Sequence, residues 1–263
     1  MLKKLLKYDL KSIFKVLIIF YCLATVFSVL TRIFFAFGNS LFMEILRQIF
    51  TGATISMVCS ILINNLMRMW VRFNSNLYGD ESYLSHTLPV TYRQHYTSKA
   101  LCSLITLITS LVFIVSALFI AYYSKDLLTT IKNLLFPATE FFDVSIVAIL
   151  VALVLIVFLQ IANILQCGFT GLILGHRANV AKTGLSVLFG FIAYSITQMF
   201  VVLVIAITAL FNDGIKGILT SNAVPVADSL KLLVYLSIGI YSALLVIGYI
   251  VNIKLLKKGV NVD

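Results

Sequence analysis

Six long stretches of the chain are apolar at both odd and even positions, and the polar residues gather between them. The stretches run over 16–37, 49–71, 101–123, 145–174, 185–211 and 232–253. Transmembrane β-strands alternate apolar and polar residues. Runs that are apolar on both parities predict helices instead. Each run reaches the roughly 20 residues a helix needs to cross about 30 Å of hydrocarbon. The fourth is longer than a simple span requires. It is expected to tilt, to break near Gly168 and Gly171, or to run on past the membrane surface.

The residues before the first span follow a different pattern. Leu2, Leu5, Leu6, Leu10, Ile13, Phe14 and Leu17 recur at helical spacing, while Lys3, Lys4, Lys7, Lys11 and Lys15 fall largely on the remaining faces. This predicts an amphipathic helix over 1–15, lying in the headgroup layer. The plainer alternative is a basic start that only fixes topology. The persistence of the apolar period over several turns favours the interfacial helix. No small-residue cleavage site of the A-x-A kind follows the first apolar run, so that run is expected to stay as an anchor.

Composition agrees with this pattern. Of the 263 residues, 61% are hydrophobic and 11% are charged, against about 25% charged in a soluble domain. The expected fold is an all-α integral membrane protein, with 1–263 as one transmembrane domain. The net charge of +10 acts as a topology signal. With the N-terminus cytoplasmic, fourteen of the 20 lysines and arginines fall on the inner side, including Arg68, Arg72, Arg93, Lys99, Arg177 and Lys254. Six fall outside: Arg32, Arg47, Lys125, Lys132, Lys216 and Lys231. This is the positive-inside bias, and it predicts a multi-pass protein of the plasma membrane with both termini cytoplasmic. The bases flank spans and form no single patch, which argues against a nucleic-acid partner. Cys22, Cys59, Cys102 and Cys167 lie one to a span, with no C-x-x-C pair. Small apolar core residues are expected there, not a metal site.

The connection 72–100 is the polar exception. In "YGDESYLSHTLPVTYRQHYTSKA", residues 78 to 100, acid, base, aromatic and proline sit together. "GDESYLSH" predicts a short helix with Asp80 and Glu81 at its positive end. Pro89 ends it, because the residue before a proline avoids helical angles. "TYRQ", residues 91 to 94, has the spacing of a capping box, with Thr91 accepting from the backbone of Gln94 and Gln94 reaching back. A helix, a proline break and a capped helix make a rigid protrusion at the membrane surface, suited to contact with a partner. The chain has no phosphate-binding loop of its own, since no glycine is followed by lysine. Energy for any work would have to enter through that partner.

These residues resemble the permease subunit of bacterial ABC transporters of the type-2 exporter fold. The resemblance covers nearly the whole chain. It is most specific at Gly79, Glu81, Tyr83, Leu84, Thr87, Leu88, Pro89 and Val90, followed by Ser98 and Lys99 leading into the third span. A weaker match is "GLILGHRANVAKTG", residues 171 to 184, with its His176–Arg177 pair. The resemblance implies that the loop between the second and third spans is a cytoplasmic coupling helix seated in an ABC ATPase subunit. It also implies two permeases, alike or different, and an ATPase dimer in each transporter. ATP and magnesium would be bound by the ATPase and no cofactor by this chain. ATPase contacts are implied at Gly79, Asp80, Glu81, Tyr83, Leu84, Leu88 and Pro89. Glu81, Tyr83 and Leu84 would form the contact face, with Asp80 capping beside them. Pro89 and Thr91 would set the angle to the third span.

Substrate signals are sparse. Gln160, Asn163 and Gln166 lie at i, i+3 and i+6 in the fourth span, with Thr170 near the same face. They read either as a stripe lining a transport path or as polar glue between helices, and three amides alone define no ligand. Asn64 and Asn65 read the same way. The connections on the outer side are short, which favours export of a peptide, lipid or drug-like substrate over import from a docked receptor. The alternatives are a membrane-embedded enzyme and a sensory or scaffolding membrane protein. Against the enzyme, His86, His95 and His176 all lie outside the spans, and neither H-E-x-x-H nor G-x-S-x-G occurs.

Overall fold

The computed structural model describes residues 2–37, 40–79, 81–178, 181–220 and 227–258, apart from the side chains of 85, 86, 125 and 126. Among the described residues every regular element is a helix. Six of the helices are long and apolar enough to cross a membrane. They are α1 (Leu2–Ala36), α2 (Leu41–Leu77), α4 (Tyr92–Tyr122), α6 (Ile146–Gly175), α7 (Lys182–Phe211) and α9 (Ala227–Lys257). Between them lie α3 (Ser82–Thr87), α5 (Lys125–Phe142) and α8 (Asp213–Thr220). Large apolar side chains remain exposed along all six long helices, from Ile18 and Ile63 to Phe211 and Val246. Such surfaces suit a hydrocarbon solvent, where a helix already satisfies its own backbone.

The chain forms two compact units, Met1–Thr130 and Ile131–Asp263. Each carries three of the long helices. In the first unit, α1 packs against both α2 and α4, and α2 packs against α4. The buried stripe of α1 is Asp9, Ile13, Leu17, Tyr21, Ala24, Ser28 and Thr31, which recur at three- and four-residue steps. In the second unit, α6 packs against α7 and α9. Leu159, Val201, Ile240, Tyr241 and Leu244 form its buried cluster.

One expectation changes, one is narrowed and one feature is new. First, α1 is one helix of 35 residues, with no break between 1–15 and the first span. Its amphipathic period is present: the lysines are exposed, and Leu2, Leu5, Leu6, Leu10 and Phe14 are half-buried. At 1.5 Å per residue this helix is about 52 Å long, so its first turns overrun the hydrocarbon. Second, the fourth span is unbroken as α6. Third, the connections after the third and fifth spans contain helices α5 and α8. The signal for α5 was present in Leu127, Leu128, Ile131, Leu134 and Leu135, an i, i+1, i+4, i+7, i+8 stripe. Of the four cysteines, Cys102 and Cys167 are buried as expected, while Cys22 and Cys59 are exposed.

The α6–α7 contact is set by small residues. A Cβ added at Gly171 would lie 2.4 Å from the Gly190 nitrogen and 2.4 Å from the Ser186 carbonyl. One added at Gly175 would lie 2.4 Å from the Ser186 nitrogen. Gly171 and Gly175 on one helix thus face Ser186 and Gly190 on the other, both at four-residue spacing, which lets the backbones touch. The neighbours of Gly171 are backbone and cannot swing aside. Gly190 is more tolerant, since a Cβ there would meet its nearest atom at 3.7 Å, and at Gly184 it would meet nothing within 4 Å. Gly171→Ala is therefore expected to destabilise the protein by about 1–3 kcal/mol, the usual cost of overpacking. Gly190→Ala and Gly184→Ala should fall within about 0.5 kcal/mol of wild type. Thermal unfolding of the three variants in one detergent checks the order.

Candidate functional site: a buried charge cluster beneath the 78–91 hairpin

The start of α1, the end of α2 and the start of α4 meet at one end of the first unit, and four charged side chains meet with them. Asp9 and Lys99 are buried, at 4% and 3% side-chain exposure. The Lys99 ammonium donates to Asp9 Oδ1 at 2.5 Å. Ser98 Oγ donates to Asp9 Oδ2 at 3.1 Å, and Asn76 Nδ2 approaches Oδ1 at 3.4 Å. Arg72 Nε lies 3.4 Å from Asp9 Oδ1 as an ion pair, without the alignment of a hydrogen bond. The other side of the guanidinium reaches out to Glu81, with Nη1 at 3.0 Å and 2.9 Å from the two carboxylate oxygens. Two acids and two bases balance. That balance is what allows charges to sit in a poorly solvated place.

Each member arrives there for a local reason. Asp9 occupies the apolar stripe of α1, four residues before Ile13 and eight before Leu17, so packing the stripe buries it. Lys99 follows from the capped start of α4. Gln94 N–H donates to Thr91 Oγ1 at 3.3 Å, and Thr91 N–H donates to Gln94 Oε1 at 3.2 Å. This is the expected capping box. It fixes where the helix begins, and Ser98 and Lys99 then fall on its buried side.

The hairpin rises from this base. The α2 helix ends with the N–H groups of Tyr78 and Gly79 both donating to the Asn74 carbonyl. Gly79 lies against α2, where a Cβ would come within 3.1 Å of Ser75 Cα. Asp80 lies outside the described residues. Glu81 precedes α3 but makes no side-chain cap, so its carboxylate serves Arg72 and not the helix end. Tyr83 and Leu84 are exposed, at 74% and 73%, and Thr87, Leu88 and Pro89 are exposed beside them. Leu88 is extended, with ψ 139°, as a residue before proline should be. The expected contact face is thereby divided. Tyr83 and Leu84 present apolar surface outward, while Glu81 is tied to α2.

Two further polar tiers hold the first unit below the charges. Asn65, fully buried, donates to the Thr106 carbonyl at 2.9 Å and to Ser110 Oγ at 2.7 Å. Ser110 Oγ in turn lies 2.8 Å from the Tyr21 hydroxyl. Thr31 and Thr54 pair at 2.9 Å. Asn65 therefore joins helices, while Asn64 bonds within α2 to the Ser60 carbonyl.

Along the candidate path in α6, two side chains bond to neighbouring helices. Asn163 Nδ2 donates to Thr197 Oγ1 of α7 at 3.1 Å. Thr170 Oγ1 donates to Asn252 Oδ1 of α9 at 2.8 Å, and Asn252 Nδ2 donates to the Gln166 carbonyl at 3.3 Å. Gln160 is half-buried on the same helix. Three of the four residues thus lie on interhelical contacts of the second unit. In the weaker motif, His176 is buried and its Nδ1 meets the Leu172 carbonyl at 2.9 Å. The Arg177 guanidinium donates to the Leu255 carbonyl near the end of α9, which suits a cation at a helix C-terminus.

Comparison with protein-family models, with curated proteins and with solved structures gives no match.

Sequence reasoning passed over Asp9. The signal was an acid on the apolar stripe of an otherwise basic helix, a placement that costs too much unless a base meets it. Asp9→Asn should leave Lys99 buried without its counter-charge and lower stability by about 3–5 kcal/mol. Asp9→Asn combined with Lys99→Met should recover much of that loss, because no uncompensated ammonium remains. Unfolding of the two variants in detergent, compared with wild type, tests the coupling.

Proposed function

We propose that this chain is the membrane-spanning subunit of an ATP-driven exporter, and that the 78–91 hairpin receives the motion of a cytoplasmic ABC ATPase dimer. The chain would act with a second permease, the same or different, in the plasma membrane with both termini cytoplasmic. Its cargo would be a peptide, a lipid or a drug-like molecule. The chemistry belongs to the partner, which binds ATP and magnesium. This chain transmits movement between two arrangements of its helices.

One observation carries the reading. Tyr83 and Leu84 stand exposed on a six-residue helix whose stem bonds to α2 through Glu81–Arg72 and runs into the capped start of α4. An aromatic and an aliphatic side chain side by side on a polar protrusion are the kind of anchors that fill a partner's pocket. A mobile loop would absorb a push. Here Glu81 passes it to Arg72 on α2, Arg72 and Lys99 pass it to Asp9 on α1, and the capped start of α4 closes the frame. The fourteen-to-six distribution of bases favours a cytoplasmic position for this end, where an ATPase would be.

The test is affinity purification of the tagged full chain from its native membrane. Wild type is expected to retain a protein carrying a phosphate-binding loop. Tyr83→Asp with Leu84→Asp should reduce that retention by about tenfold or more, the loss typical of interface anchors, while membrane insertion stays normal. Equal retention by the variant, or no such ATPase with wild type, would remove the exporter reading.

A further inference from the structure

On the flank of the first unit, beside the charge cluster, α1 and α2 border a half-open pocket of about 170 Å³ lined by Ser12, Ile13, Arg68, Val71, Arg72 and Ser75. Its α2 wall is one helix face, with Arg68, Val71, Arg72 and Ser75 at i, i+3, i+4 and i+7. Its α1 wall is Ser12 over the buried Ile13. Two arginines and two serines thus line one space, and no acidic residue is among its lining.

The charges there do not cancel. Arg72 is matched by Asp9 and Glu81, and Lys99 is already paired with Asp9. Arg68 is exposed and has no carboxylate partner among the described residues. Lys11 and Lys15, both exposed, flank Ser12 in the chain. The pocket therefore carries net positive charge together with hydroxyl donors, which is the chemistry that recognises a phosphate oxygen. A water molecule takes up about 30 Å³ in the liquid, so the space admits a tetrahedral phosphate with some solvent left around it.

We infer that this pocket is a binding site for a phosphate ester, and that the ester is the headgroup of an anionic lipid. The position favours the lipid. Arg68 lies nine residues before the end of α2, roughly 14 Å along the axis. Its open neighbour Val71, 58% exposed, is the kind of surface an acyl chain covers. A base at the edge of a span reaches into the headgroup layer while its stem stays in hydrocarbon. Bound there, the lipid would brace α1 against α2 directly beside the Asp9–Arg72 pair. The inference rests on the membrane-spanning helices and does not depend on the exporter reading.

The experiment uses the full chain, purified and delipidated in a neutral detergent. Its melting temperature is followed as phosphatidylglycerol, phosphatidylcholine or glycerol phosphate is added. Phosphatidylglycerol should raise the melting temperature of wild type at lower concentration than phosphatidylcholine, with little response to glycerol phosphate. Arg68→Gln removes the unmatched base, and Ser12→Phe fills the space. Both side chains are exposed, so both variants should fold. Each should need about fivefold or more phosphatidylglycerol for the same shift, the factor expected from one basic group near an anionic surface. Lys257→Gln, at the exposed end of α9, should respond as wild type. If glycerol phosphate matches the lipid on wild type and Arg68→Gln abolishes both, the site takes a soluble ester and the lipid assignment falls. If both pocket variants respond as wild type does, the site itself is overturned.

Discussion

The Asp9 carboxylate is the group on which the first unit depends. It is buried, and a buried carboxylate is tolerated only when other groups replace the water it has lost. Lys99 and Ser98 of α4 and Arg72 and Asn76 of α2 do so. The consequence is positional. Sliding α1 by one turn against α4 would separate Asp9 from Lys99 and leave both charges without a partner. Apolar packing alone is permissive about such slips, because one Leu replaces another at little cost. The ion pair therefore fixes which turn of α1 meets which turn of α4, a role in register that can outweigh its small net contribution to stability.

The same cluster explains how a six-residue helix can stand at the bundle end as a defined object. A helix of that length has little stability of its own. It is held from below by Arg72–Glu81, behind by the close approach of Gly79 to Ser75, and in front by Pro89 and the Thr91 capping box. Polar groups inside the unit work in the same sense. The Tyr21–Ser110–Asn65–Thr106 chain and the Thr31–Thr54 pair stand at successive levels along the helices, roughly 15 Å apart by helix rise. Each interhelical hydrogen bond contributes about 1 kcal/mol or less in hydrocarbon, so their effect is specificity of pairing more than strength. The second unit uses closeness in place of charge. Gly171 and Gly175 let α6 touch the backbone of α7, and Asn163 and Thr170 bond across the resulting contacts.

Much of this could be read along the chain. Apolar runs on both parities give the spans, since only helices of that length satisfy the backbone within lipid. The Thr91–Gln94 box and the extended Leu88 follow from residues adjacent in sequence, and both are where local rules put them. The points that needed the structure were choices between two locally acceptable states. A basic amphipathic start can lie flat or continue into a span, and in α1 it continues. Glu81 can cap a helix or pair with a base, and the nearby Arg72 takes it. The α6 amides can line a path or join helices, and Asn163 meets Thr197 across the α6–α7 contact.

The sequence by itself determined the solvent and the scaffold: six membrane-length helices, the ends where bases gather, and a capped, proline-broken hairpin between the second and third spans. These depend on composition and on contacts a few residues apart. Only the tertiary structure decided that Asp9 meets Lys99 across 90 positions, that Arg72 stands between Asp9 and Glu81, and that Arg68 and Ser12 share a pocket. The physical reason is that a charge's partner is set by which helix faces pack together. That packing is a property of three helices at once and is written in no single stretch of the chain.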